Sequence, residues 1–331
     1  MDRSKIGNLM QIGGVRNYLL TDGWAKDMRA MDVKTGAGLQ YTILPDRGMD
    51  ISFASYKQIN LSFITNNGET HPAYFQEHGI GWLHTFAAGL LTTCGYDNIG
   101  APCKADGQEF GLHGRYSTIP ARQVADLSHW EGDDYFIIIK GIVEEGRLFG
   151  SKLQNKREIR SVLGQNSINI TDTVTNTGNC DAPLLLLYHF NLGYPLLDSN
   201  VTLQIDAIKS WPRDASSEKG LSSYSAFPEP IPGVTEEVFI HQLESDQNGI
   251  TEVRLINPSL KIQFYLRYSP NELPYLAQWK MPGVGEYVLG LEPCNSPCKN
   301  REMLSNENAL PMLKPGESKK FYLEIGIKEI I

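Results

Sequence analysis

From Val162 to Gly178 the chain reads VLGQNSINITDTVTNTG, setting Ser167, Asn169, Thr171 and Thr173 against Ile168, Ile170, Asp172 and Val174 in strict alternation. The run stops at Asn176-Thr177-Gly178. A period of two marks a half-buried strand, closed here by a turn. The same criterion predicts strands at Leu39–Leu44, Tyr135–Val143, Leu184–Phe190, Val201–Ala207, Glu252–Asn257, Lys261–Tyr268, Glu286–Glu292 and Lys320–Ile327. Gly and Pro punctuate nearly every junction, as frequent tight turns require. Helical periodicity is scarce, and Gly81–Leu91 reads either as one short helix or as a loop crossing a sheet. Strands recurring without intervening helices argue against a doubly wound or barrel α/β chain. The expectation is an all-β protein with few short helices, a large antiparallel β-sandwich forming a single domain over residues 1–331.

Composition narrows this only a little. A length of 331 residues permits one large domain or two ordinary ones, and no linker or internal repeat divides the chain. Hydrophobic content of 41%, with five Trp, 15 Tyr and 12 Phe, supplies a core large enough to need no disulfide or metal staple. Thirty basic and 38 acidic residues give a net charge of −8 without long runs of one sign, which argues against a nucleic-acid partner. The densest basic stretch, Lys152 to Arg160, includes a Glu and reads as a solvated strand or loop. The N-terminal residues hold no apolar leader, and no window approaches the roughly 20 apolar residues of a membrane span. Five cysteines form no framework, so reduced thiols and a cytoplasmic location are expected.

Four segments hold candidate chemistry. In LLLLYHFNLG, strand alternation puts His189 and Asn191 on one face at the end of an apolar run, as site residues or as a core histidine satisfied by a carbonyl. In EYVLGLEP, Glu292 shares a face with Gly290, whose missing side chain leaves a gap beside the carboxyl. A partly buried carboxylate there would have its pKa raised toward the range of a general base, whereas a strand-end Glu in solvent would do nothing. In GLHGRYS, extended backbone would place His113 and Arg115 on one face, between glycines that allow close approach. Imidazole and guanidinium together suit a polyol, and the alternative is a surface turn. LPDRGMDI reads as a tight turn in which Asp46 or Asp50 bonds turn amides and Arg47 pairs with one of them or reaches a ligand. Trp279, with Tyr275 and Trp82, is a candidate for stacking on a sugar face or for the core. His71, His78 and His84, and the Cys294/Cys298 pair, match no strong metal-ligand spacing, so no metal is expected.

Taken in order, His113-Gly114, His189-Phe190-Asn191-Leu192 and Leu291-Glu292-Pro293 resemble the ordered motifs of the aldose 1-epimerase (galactose mutarotase-like) superfamily. Pro45–Ile51, Thr85–Gly95 and the LHGR element followed by Ile119–Ala121 resemble a less characterised branch of it, and the likeness covers roughly residues 10 to 327. The resemblance implies a galactose mutarotase-like supersandwich and an isomerase that opens and recloses a sugar ring without a cofactor. It places the general base on Glu292, the general acid on His189 and a substrate-binding histidine on His113. The family's sugar-binding arginine has no counterpart in Cys94-Gly95-Tyr96-Asp97-Asn98, leaving Arg47 or Arg115 as substitutes, and its sugar-contacting aspartate has no match. The expected partner is a small sugar, with assembly as a homodimer left open. Two alternatives stand beside ring opening: epimerisation or isomerisation at another carbon or on a modified sugar, and carbohydrate binding without turnover.

Overall fold

The structure, a computed structural model, describes residues 3–330. Two antiparallel sheets face each other. The first has 11 strands, and its central order is Asp50–Tyr56, Leu91–Tyr96, Leu185–Gly193, Glu286–Cys294, Tyr275–Gly283, Glu237–Leu243 and Ala207–Pro212. The second has nine, centred on Lys152–Val162, Ser167–Asn176, Ser318–Glu329 and Ile262–Tyr268. This is the predicted antiparallel sandwich. Among the described residues the one α-helix is Arg301–Asn306, and no helix is long and apolar enough to cross a membrane. Gly81–His84 is a single 3-10 turn leading into irregular chain, the loop alternative of the sequence reading.

The core lies between the sheets, built by alternate residues of each strand. Leu186, Tyr188, Phe190 and Leu192 meet Ile159, Ile168, Ile170 and Leu323 there. Strand alternation then sends Leu185, Leu187, His189 and Asn191 to the outer face of the larger sheet.

Lys152–Val162 corrects the expectation of a solvated basic segment. It is a strand whose alternate residues Leu153, Asn155, Arg157, Ile159 and Ser161 are buried. The Arg157 guanidinium sits between the sheets. It donates to Asp172 Oδ1 and Oδ2 (2.9 and 2.7 Å), to Asp50 Oδ1 (2.9 Å) and to the Gly48 carbonyl (3.1 Å). Tyr188 donates to Asp172 at 2.7 Å, and Thr93 donates to Asp50 through its amide and hydroxyl. Asp50 is therefore spent on Arg157 of the other sheet and Thr93 of a neighbouring strand, and not on its own turn. Asp46 likewise takes the Arg29 amide and guanidinium. Burial pushes the Asp50 carboxyl up to about 6, against the pull of Arg157.

Candidate active site

His189 and Glu292 come together on the outer face of the larger sheet. Their strands are neighbours, with Leu187 opposite Cys294 and Phe190 opposite Leu291, and the same register sets His189 across from Glu292. The His189 Nε2 to Glu292 Oε1 distance is 3.3 Å, with only 4% and 3% of the two residues exposed. Gly290 makes the geometry possible: a Cβ there would lie 2.6 Å from Glu292 Oε1 and 2.8 Å from Trp279 Cβ. The gap inferred from sequence is thus filled by the carboxyl itself. Gly290→Ala is expected to force the carboxyl aside, at an overpacking cost of about 1–3 kcal/mol, and to weaken any reaction that needs the pair at least tenfold. Thermal melts and turnover assays read the two effects separately.

Burial dominates the electrostatics of the pair. It raises the Glu292 carboxyl from 4.5 to about 8, with Glu236 adding to the rise and Arg213 opposing it. It also holds His189 well below the ordinary imidazole value, helped by the nearby His113. Both shifts favour uncharged groups, so the resting pair is a carboxylic acid beside a neutral imidazole. The His189 Nδ1 is buried without a hydrogen-bond partner.

Aromatic rings enclose the pair. The His189 ring centroid lies 5.5 Å from Phe86, 5.5 Å from Trp279 and 5.8 Å from His113, and His113 rests 4.8 Å from Trp82. His113 reaches this position because its backbone adopts φ 58° and the next residue, Gly114, adopts φ 70°. A Cβ on Gly114 would lie 2.6 Å from the Asn98 carbonyl, so only glycine fits the turn. The turn also corrects the shared-face expectation. Arg115 leaves His113 behind and meets Glu77 (3.6 Å) and Glu145 (3.8 Å) at a separate small cavity. Burial and the Arg213 charge lower His113 to about 4, which keeps its ring neutral.

The other candidates have different surroundings. Arg47 is buried and donates to the carbonyls of Thr70 and Thr85 (both 3.1 Å), which anchors the segment carrying Trp82 and Phe86. The Asn191 amide donates to the carbonyls of Gly89 and His189, a fully buried arrangement that fixes the histidine's backbone. Trp279 does face the pair, and its indole nitrogen donates to Glu236 Oε2 at 2.8 Å.

Arg213 and Glu236 were invisible to sequence reasoning. Arg213 Nη2 meets Glu236 Oε1 at 3.0 Å, its Nε meets Asp214 at 2.8 Å, and its charge acts on both Glu292 and His113. They form a half-exposed charged rim above a buried neutral pair. Such an arrangement offers donors and acceptors to a hydroxylated ligand and a proton relay below it.

Solved structures share this fold along nearly the whole chain. A protein from Klebsiella pneumoniae subsp. pneumoniae, provisionally named an aldose 1-epimerase, is 26% identical with a TM-score of 0.90, over 96% of this chain and 83% of that one. A galactose mutarotase-like protein from Clostridium acetobutylicum is 14% identical (TM-score 0.68, 97% and 100% covered). A galactose 1-epimerase from Lactobacillus acidophilus is 11% identical (TM-score 0.63, 96% and 100% covered). The class is therefore the galactose mutarotase-like β-sandwich. Within it the chain belongs to the DUF4432 family, a domain of unknown function, whose model matches residues 25–327. No curated protein matches the sequence at a significant level.

Proposed function

We propose that this protein interconverts the anomers of a sugar by acid–base ring opening, on one domain formed by the two sheets. The observation that carries the reading is the 3.3 Å contact between His189 and Glu292, bordered by the rings of Phe86, His113 and Trp279. Glu292 as carboxylate accepts the C1 hydroxyl proton while His189 as imidazolium protonates the ring oxygen. The C1–O5 bond then breaks to an aldehyde and a C5 hydroxyl, leaving carboxylic acid and neutral imidazole. Rotation about C1–C2 and reclosure with the proton transfers reversed yield the other anomer. His113, Trp279, Arg213 and Glu236 hold the hydroxyls and one face of the ring.

The buried environment fits this cycle in a specific way. The charged pair is the form that meets the closed ring, and the neutral pair is the form left by ring opening. A site that disfavours separated charge therefore drives the proton transfers toward the open chain. Hydroxyl groups donating to the carboxyl of Glu292, with the Arg213 charge, favour the opposite shift when a closed sugar binds.

Magnetisation-transfer NMR on a panel of aldoses in D2O tests the reading. Enhanced exchange between α and β signals, with no deuterium entering any C–H bond, is the expected result. Deuterium at carbon would mean epimerisation or isomerisation at another position, and saturable binding without acceleration would mean a binding protein.

A further inference from the structure

The larger sheet carries a second concavity on the same outer face, on the strands Arg29–Lys34, Leu39–Leu44 and Asp50–Tyr56 and the short strand Ile59–Asn60. Between it and the His189 cleft runs the segment from Thr65 to Leu90. That segment carries Phe86 and Trp82 over the histidines and is seated on the sheet by the hydrogen bond of Ser52 to Glu69. The groove measures about 230 Å³.

Its lining is set by register. Lys34 pairs with Gln40, Gln40 with Ser55, and Ser55 with Asn60, so four polar side chains form a row across four strands. Strand neighbours sit about 4.8 Å apart, so the row presents polar groups at regular intervals to hydroxyls on separate parts of a glycan. Two residues along, Asp32 and Phe53 share the same face, Phe53 being 49% exposed.

Most of the hydrogen-bonding capacity of this row is unspent. Among the described residues Lys34, Gln40 and Ser55 have no side-chain hydrogen bond or ion pair. Asn60 uses its amide nitrogen on the carbonyls of Ser62 and Tyr194 (both 2.7 Å), leaving its oxygen free. Asp32 is oriented by Tyr18 (2.9 Å) and Thr42 (2.7 Å), both donating to Oδ1, which leaves Oδ2 open to the groove. Donors and acceptors are thus interleaved around one exposed aromatic ring. The single Lys34 charge is offset by Asp32, so neither an anion nor a cation meets a surface of opposite sign. A hydroxyl-rich neutral ligand uses every one of these groups, its hydroxyls both giving and accepting and its C–H face covering the Phe53 ring.

We propose that this groove is a second carbohydrate-binding site, taking an uncharged glycan and separate from the His189–Glu292 cleft. It stands on its own observations and does not depend on the anomeric reaction. The test is an amide chemical-shift titration of the full chain with methyl β-D-galactopyranoside and with maltotriose, comparing wild type and Phe53→Ala. Phe53 stands on the surface, so its removal leaves the fold and any sugar turnover unchanged. The expected result is saturable shifts on Arg29–Lys34, Leu39–Leu44 and Asp50–Tyr56 with at least one of the two sugars, weakened tenfold or more by Phe53→Ala. Absence of shifts on these strands with both sugars, or an unaltered titration in Phe53→Ala, overturns the proposal. So does an equal response to inorganic phosphate, or a wild-type dimer that Phe53→Ala dissociates, which would make the groove a contact between copies.

Discussion

Glu292→Gln is expected to slow anomer exchange by about 10²–10⁴-fold while leaving sugar affinity within a few-fold of wild type. Glutamine keeps the size and polarity of the side chain opposite His189 but neither accepts nor releases a proton, so only the chemical step should suffer. Exchange near the wild-type rate would remove Glu292 from the reaction. The same variant carries a second signature. The carboxyl rises from 4.5 to about 8 on folding, so between those values unfolding releases a proton. Wild-type stability then declines as pH rises through that window and levels off above it. Glutamine has no such dependence. Melting curves from pH 4.5 to 8.5 should therefore show the variant gaining on wild type as pH rises, and parallel curves would mean that the carboxyl is not held protonated.

Arg157→Met is expected to destabilise the fold by about 3–5 kcal/mol, the largest single effect foreseen away from the cleft. The guanidinium is the shared cation of Asp50 and Asp172, all three buried between the sheets. Methionine fills part of the volume but leaves two carboxyl groups facing each other without a counter-charge. Chemical denaturation at pH 7 reads the loss. Lowering the pH toward 5 should return part of it, since protonating Asp50, whose carboxyl burial already raises to about 6, removes one of the unpaired charges. A loss below 1 kcal/mol would show that the ion network carries little of the stability.

The fold was legible because strand alternation is a local property. Ser167–Asn176 and Glu286–Cys294 could be recognised from their own residues, since burial of one face writes a period of two into the sequence. The strand Leu91–Tyr96 is buried on both faces and mixes Thr, Cys and Gly, so no alternation betrays it. Arg157 illustrates a second limit. Its neighbours Lys156 and Glu158 suggest a solvated surface, whereas the partners that permit its burial come from two other strands.

Site residues divide in the same way. Glu292 stood out as a candidate because Gly290 stands two positions away on the same face, and His189 because it follows a run of apolar residues, although the strand continues beyond it to Gly193. The pairing of His113 with Arg115 failed because the φ of 58° at His113 breaks the extended geometry that the reading assumed. Arg213 and Glu236 lie in polar segments that resemble any exposed loop. Only folding brings the two together, 3.0 Å apart above the cleft.

The strands bearing His189 and Glu292 lie side by side, yet about a hundred residues of chain separate them. A nascent polypeptide still on the ribosome cannot bring the two side chains together until Glu286–Cys294 has emerged, and fragments ending before Glu286 should lack the pair however well they collapse. Such distant pairing is expected to make closure of the central sheet slow.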